Sequence, residues 1–105
     1  MELDQLADRL RAFAAARAWE RYHTPKNLVM ALSAEVGELT ELFQWLTAEQ
    51  SAEVMTEPSQ AERVEDELAD VLIYLVRLAD VLGVDLAAAA LAKIRRNESR
   101  FPVPG

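Results

Sequence analysis

Residues 28–46 read LVMALSAEVGELTELFQWL, and the spacing of the leucines predicts an amphipathic helix. Leu32 and Leu39 are seven residues apart, so one position between them on the apolar face of this helix has no leucine. Glu35 occupies that position. A buried carboxylate without a partner costs several kcal/mol. A sequence that keeps a glutamate there therefore indicates a bound cation. The leucines lie at steps of four, seven, three and four residues: Leu28, Leu32, Leu39, Leu42 and Leu46.

The composition is that of a single globular domain of 105 residues. Apolar residues make up 51% of the chain and charged residues 28%, a balance typical of folded rather than disordered proteins. A chain of this length buries a small core, so assembly with further copies is a natural source of stability. The chain has no cysteine, which excludes disulfides, a thiolate nucleophile and a cysteine-based zinc site.

Charge and hydropathy narrow the range of partners. A net charge of −7 argues against a nucleic-acid polymer, because such binding depends on basic surface. The same charge is compatible with a small phosphorylated ligand that arrives with a divalent metal. We expect no membrane partner, because no apolar run approaches the roughly 20 residues of a membrane span. The acidic residues 1–4 do not resemble a signal peptide, so we expect a cytoplasmic protein.

The first half of the chain contains two predicted helices. The first covers residues 3–22. The second begins where Thr24 is a candidate N-cap and Pro25 takes the first helical position, and it extends to residue 46. The polar and acidic residues 47–58 are predicted to form a surface loop.

The second half of the chain contains two more predicted helices. Residues 59–62, SQAE, are a capping-box sequence that predicts the start of the third helix, and Gly83 predicts its end. Asp85 caps a fourth helix that runs to residue 100, and residues 101–105 form an extended tail. We therefore predict one all-α domain over residues 1–105, an antiparallel four-helix bundle. The apolar stripe of the third helix is Val64, Leu68, Val71, Leu75, Leu78 and Leu82.

Two pairs of acidic residues have the same spacing on the second and third helices. Glu35 and Glu38 are neighbours on one helix, and Glu67 and Asp70 repeat the arrangement on the other. If the two helices are neighbours, four carboxylates converge, and oxygen ligands of this kind suit Mg²⁺ or Mn²⁺. The alternative is a solvated acidic face or a structural divalent metal in a non-enzymatic interaction bundle.

Aromatic and basic residues accompany the acidic pairs. Trp45 is seven residues from Glu38 and Tyr74 seven from Glu67, two turns along the same helix edges. Metal, aromatic rings and inward cations together are what a nucleoside triphosphate needs. The fourth helix carries a row of polar and basic residues, which consists of Lys93, Asn97 and Arg100. The aromatic rings are also compatible with core or interface positions. The row is also compatible with a simple interaction between its positive charges and the dipole of a helix C-terminus.

Four segments, in this order, closely resemble the MazG-like nucleotide pyrophosphohydrolases, and within them the dCTP pyrophosphatase group. The resemblance covers roughly residues 10–102. The segments are WERYHTPKNL at 19–28, AEVGELTELFQW at 34–45, Glu67-Leu-Ala-Asp70 with Tyr74, and Lys93 followed by Asn97 and by Arg100-Phe-Pro102.

The resemblance implies an all-α enzyme that hydrolyses a (deoxy)nucleoside triphosphate, in this group dCTP or a modified dCTP, to the monophosphate and pyrophosphate. It implies Mg²⁺ held by Glu35, Glu38, Glu67 and Asp70. The family signature starts with two glutamates where this chain has Ala34-Glu35, a difference that the dCTP pyrophosphatase group tolerates. Another nucleotide, such as dUTP or a phosphoribosyl-ATP, is the alternative substrate.

The resemblance also implies which residues contact the nucleotide. Base and sugar contacts fall on Trp19, His23, Trp45 and Tyr74. Phosphate and sugar contacts fall on Lys93 and Asn97, with Lys26 and Arg100 as weaker correspondences. We assign to Glu38 the activation of water and to Lys93 the stabilisation of phosphate charge. Relatives of this kind assemble as homodimers or as dimer-of-dimers tetramers with sites at subunit interfaces, which we expect here.

Overall fold

The computed structural model describes residues 1–104, which form five α-helices and no β-strand. The all-α prediction is therefore confirmed. Single 3₁₀ turns lie at Glu20–Tyr22 and Val54–Thr56. The α-helices are α1, Leu3–Ala16; α2, Pro25–Phe43; α3, Ala48–Ala52; α4, Pro58–Leu82; and α5, Leu86–Arg100. Helices α2, α4 and α5 are the second, third and fourth predicted helices.

Helices α2 and α4 form the most extensive helix pair of the chain. They run antiparallel, because His23, just before α2, contacts Arg77, whereas Glu35, further along α2, lies beside Glu67. The predicted N-cap of α2 is confirmed, since the Thr24 hydroxyl accepts a hydrogen bond from the Asn27 amide at 3.2 Å. The helix ends at Phe43 rather than at residue 46.

Helix α1 ends at Ala16, so the prediction that it continues to residue 22 is wrong. Ala18 takes the left-handed conformation at φ 54°. The Trp19 amide donates to the Ala14 carbonyl at 2.9 Å and the Ala18 amide to the Ala15 carbonyl at 3.1 Å. These two bonds make a Schellman ending, which usually has glycine at the left-handed position. Because alanine stands there, the sequence contains no glycine to signal the helix end.

Residues 47–58 lie at the surface as predicted, but they contain helical turns and are not a loop throughout. Thr47 and Gln50 form a reciprocal capping box that starts α3, and a 3₁₀ turn follows. Helix α4 begins at Pro58, before the predicted start at Ser59. Its cap is Glu57, whose carboxylate accepts from the Ser59 and Gln60 amides at 3.3 and 2.9 Å.

The boundary between α4 and α5 agrees with the prediction. Gly83 adopts φ 70° after the last residue of α4, a left-handed conformation that glycine adopts without strain. The Asp85 carboxylate caps α5 by accepting from the Ala88 amide at 3.0 Å. Residues 101–104 are not helical, and the last residue of the predicted tail, Gly105, lies outside the described residues.

A single chain leaves much apolar surface uncovered. Its accessible area is 7969 Å², whereas a compact monomer of this mass exposes about 5,900 Å². The radius of gyration is 16.8 Å, against about 13 Å for a compact chain of this length. Of the stripe predicted on α4, Val64 is buried, but Leu68 and Leu82 are 52% and 55% exposed. No residue of α5 is buried, so one chain alone does not close the predicted four-helix bundle.

Candidate active site

Three glutamates form an acidic cluster where α2 packs against α4. Glu35, Glu38 and Glu67 each place one carboxylate oxygen within 4.8 Å of the others. The three-residue spacing brings the first two to one side of α2, and the antiparallel neighbour supplies the third. The structure thus brings together three of the four predicted metal ligands. Asp70 is half-buried one turn along α4 and close enough for its charge to act on Glu35 and Glu67; its role as a ligand stays a prediction.

The acidic cluster is electrostatically unsatisfied. Glu35 and Glu67 each have a buried Oε2 atom that no hydrogen-bond donor reaches within residues 1–104. Burial, hydrogen bonding of the protonated form to Glu67, and the charges of Glu38 and Asp70 raise the pKa of Glu35 to about 7. Hydrogen bonding to Glu35 lowers the pKa of Glu67, but burial and the neighbouring carboxylates outweigh this and the net shift is upward. Two carboxylates so placed share a proton or bind a cation.

The cluster fits a divalent metal ion. Its donors are all carboxylate oxygens, which are the ligands that hard cations such as Mg²⁺ prefer. A cation would also satisfy the two buried oxygens that lack donors. Glu38 is the exposed member of the cluster, so its carboxylate is open to a water molecule or substrate.

An aromatic pocket of about 100 Å³ lies near the acidic cluster. Its wall contains three of the predicted base and sugar contacts, Trp19, His23 and Tyr74. Trp19 is placed by the end of α1, and its ring meets the Phe13 ring edge-on at 5.6 Å. Seven residues of α4 separate Glu67 from Tyr74, which corresponds to about 10 Å. The other residues of the wall are Leu10, Phe13, Ile73 and Arg77.

A chain of hydrogen bonds supports one wall of the aromatic pocket. Arg77 donates from Nε to His23 Nδ1 at 3.0 Å and from a terminal nitrogen to Asp80 at 3.1 Å. Arg11 donates to both oxygens of Asp80, at 3.1 and 2.5 Å. The hydrogen bond from Arg11 is the main cause of a lowered pKa of Asp80. Burial and then the Arg77 charge lower the pKa of His23.

Sequence reasoning missed Arg77 and Asp80. The available signal is an arginine inside the apolar run Leu75-Val-Arg-Leu-Ala79. Arg77 is three residues from Tyr74, on the same side of α4, and three from Asp80. A buried cation needs anionic or accepting partners, but the sequence alone does not say that His23 and Arg11 reach the network.

The other residues that were predicted to contact the nucleotide are not part of this site within one chain. Trp45 is 87% exposed beyond the end of α2, and Lys26 is exposed in its first turn. In residues 1–104, the predicted row on α5 makes no hydrogen bond or ion pair with the acidic cluster. The guanidinium of Arg100 instead lies 5.1 Å from the Phe101 ring. The row consists of Lys93, Asn97 and Arg100.

Fold and site together define a class of protein: an all-α protein with a cluster of glutamates about two helical turns from an aromatic pocket. The model of the MazG-like family matches residues 30–105. The chain belongs to the MazG-like family, as its sequence motifs predicted. Within residues 1–104, no helix combines the length and apolar character needed to cross a membrane.

Curated relatives are named dCTP pyrophosphatase 1. The Bos taurus protein is 49% identical over 91 residues, which cover 87% of this chain and 54% of that protein. The Homo sapiens protein is 50% identical over 90 residues, covering 86% of this chain and 53% of that protein. The chain therefore spans about half the length of the curated relatives it matches.

A solved structure has the same fold. The crystal structure of a pyrophosphatase from Archaeoglobus fulgidus DSM 4304 matches with a TM-score of 0.87 and 42% identity. The match covers 95% of this chain and 92% of that one. This chain and that pyrophosphatase therefore share one all-α fold over nearly their whole lengths.

Proposed function

We propose that this protein is a nucleoside triphosphate pyrophosphohydrolase that acts on dCTP or a modified dCTP and releases the monophosphate and pyrophosphate. The observation that carries the proposal is a pair of buried carboxylate oxygens, on Glu35 and Glu67, that no hydrogen-bond donor reaches within residues 1–104. They lie about 10 Å along α4 from an aromatic pocket. A nucleotide with its base in the pocket would have its phosphates near the carboxylates. Relatives named dCTP pyrophosphatase support this substrate, and we propose the cytoplasm as the place of action.

The acidic cluster has the composition of a Mg²⁺ site, with Mn²⁺ as the second choice. Glu35, Glu38 and Glu67 would hold the ion, with Asp70 as the fourth ligand predicted from the sequence. A divalent ion bound there neutralises phosphate charge and lowers the pKa of a bound water.

The reaction that follows is hydrolysis at the α-phosphorus. Glu38, the exposed carboxylate, orients a water molecule and accepts its proton. The water oxygen bonds to the α-phosphorus, and the bond from that phosphorus to the bridging oxygen breaks. Pyrophosphate leaves with the bonding electrons. Trp19 and Tyr74 hold the base by their rings, and Lys93 stabilises charge on the phosphates.

We propose that the active form is a homodimer or a dimer-of-dimers tetramer. The chain exposes roughly 2,000 Å² more than a compact monomer of its mass, which is enough for an obligate interface. Helix α5 has no buried residue, and its polar row is not joined to the acidic cluster. A second copy would cover the apolar faces and carry Lys93 and Asn97 to the site.

The proposal is tested by incubating the protein with Mg²⁺ and a panel of nucleotides that includes dCTP, 5-methyl-dCTP, dUTP and a phosphoribosyl-ATP. We expect pyrophosphate release to be fastest with the cytosine nucleotides and to be lost in Glu35→Gln. Glu65→Gln, an exposed change on α4, is the matched control and keeps activity. Release of orthophosphate would contradict cleavage between the α- and β-phosphates. No turnover by a folded protein would favour the non-enzymatic bundle.

A further inference from the structure

Arg77 is a buried cation at the wall of the aromatic pocket. It is 7% exposed and lies on α4 between apolar neighbours. Its Nε donates to His23 Nδ1 at 3.0 Å, and a terminal nitrogen donates to Asp80 at 3.1 Å. Asp80 in turn accepts hydrogen bonds from Arg11, so the carboxylate that pairs with the Arg77 guanidinium is itself held in place.

This contact decides where the proton of His23 sits. A guanidinium has only donors, so the imidazole nitrogen that faces it must supply a lone pair. A neutral imidazole with an unprotonated Nδ1 has its single proton on Nε2. Burial and the Arg77 charge also lower the pKa of His23, which favours the neutral ring. Within residues 1–104, Nε2 has no hydrogen-bond partner.

We propose that Arg77 is a positioning residue that holds His23 as the Nε2–H tautomer, so that this histidine offers a hydrogen-bond donor to the bound nucleotide. A pocket equipped in this way selects a heterocycle that presents an acceptor, either a carbonyl oxygen or an unprotonated ring nitrogen. Cytosine has both. The inference rests on the proposed function for the identity of its ligand, whereas the tautomer itself does not depend on any activity.

The tautomer is directly measurable, because His23 is the only histidine of the chain. Two-bond nitrogen–proton NMR correlations of the protein without nucleotide report which ring nitrogen is protonated. We expect protonation at Nε2 alone in the wild type and a mixture of tautomers in Arg77→Met. Arg9→Met, an exposed change on α1, is the matched control and leaves the wild-type spectrum. A wild-type ring protonated at Nδ1, or at both nitrogens near neutral pH, would overturn the proposal.

Two amide variants test the role of each ring nitrogen while Arg77 itself is kept, and only His23→Asn also keeps an acceptor for Arg77. In His23→Gln the side-chain amide reaches the place of Nε2 and keeps a donor there. In His23→Asn the amide reaches only the place of Nδ1, where its oxygen accepts from Arg77. We expect KM for dCTP to rise about three- to tenfold in His23→Asn, the worth of one hydrogen bond, and to change less in His23→Gln, with kcat nearly constant in both. Equal KM values in the two variants would contradict a donor at Nε2.

The outcomes separate this inference from the proposed function. Turnover of dCTP by a wild type whose histidine is protonated at Nδ1 would overturn the inference and leave the enzyme assignment intact. A wild type with the Nε2–H tautomer that hydrolyses no nucleotide would remove the enzyme assignment and leave the Arg77 contact intact.

Discussion

Glu35 and Glu67 face each other across the α2–α4 contact, and each has a buried carboxylate oxygen that no donor in residues 1–104 reaches. Neighbouring elements normally supply donors to buried carboxylates, because an unpaired buried charge is destabilising. The two helices that form the main contact of the chain therefore meet at a point of repulsion. An arrangement of this kind is stable when a proton or a cation lies between the two groups.

The first prediction is that Glu35→Gln stabilises the metal-free protein and that the gain grows with pH. The native pKa of Glu35, about 7, lies above its ordinary value of 4.5. Between these values the folded state keeps a proton that the unfolded state has released, so the stability due to this group is lost as the pH rises through about 7. Melting in EDTA should therefore place the variant a few degrees above the wild type at about pH 8 and close to it at about pH 5.

Mg²⁺ reverses this order if the acidic cluster binds the ion. Added Mg²⁺ should raise the melting temperature of the wild type and have little effect on Glu35→Gln. Pyrophosphate release by the variant should fall by at least about 100-fold. Glu65→Gln should behave as the wild type in both assays. An equal response of both proteins to Mg²⁺ would remove Glu35 from the metal site.

The second prediction concerns the ion pairs of Asp80. Its side chain is mostly buried between Arg11 and Arg77. Asp80→Asn leaves the buried Arg77 guanidinium without its anion and should lower the free energy of unfolding by about 3 kcal/mol. Arg11→Met should lower the free energy of unfolding by less than Asp80→Asn does, because Arg77 still pairs with Asp80. Urea denaturation measures both, with the exposed Asp66→Asn as control. Equal losses in Arg11→Met and Asp80→Asn would contradict the central position of Asp80.

Local sequence predicted the parts of the fold that local chemistry determines. The Thr24 cap, the glycine at the end of α4 and the Asp85 cap are each fixed by a few adjacent residues. The gap in the leucine stripe predicted the place of Glu35, because helical periodicity alone brings it to the α2–α4 contact. The convergence of Glu67 with Glu35 and Glu38 followed from assuming that these two helices are neighbours.

Features that depend on distant contacts or on a missing signal were not predicted. Ala18 takes a conformation that glycine usually occupies, so α1 ends without a recognisable sequence signal. The burial of Arg77 depends on His23, 54 residues away in the chain. The surroundings of Lys93 and of the rest of α5 depend on what packs against this helix, because no residue of α5 is buried within one chain. The periodicity of a single sequence does not identify that packing partner.

The third prediction is that Ala18→Gly stabilises the protein. Ala18 has φ 54°, a conformation that costs an alanine roughly 1 kcal/mol and a glycine almost nothing. The free energy of unfolding should therefore rise by up to about 1 kcal/mol, with pyrophosphate release unchanged. Ala12→Gly, an exposed change inside α1, should lower it by about 1 kcal/mol because glycine weakens a helix interior. A loss of stability in both variants would contradict the left-handed helix ending.

The fourth prediction is that two inactive variants restore activity when they assemble together. If Lys93 reaches the acidic cluster from a second copy, a mixed oligomer of Glu35→Gln and Lys93→Ala contains one site with both native residues. We expect each variant alone to be inactive, and equal amounts of the two refolded together to recover about a quarter of wild-type pyrophosphate release, because subunits mix at random. Sedimentation measures the assembly, which Leu68→Glu on the exposed face of α4 should disrupt. Assembly without recovered activity would place Lys93 and Glu35 of one chain in the same site, whereas an active Lys93→Ala variant would place Lys93 outside it.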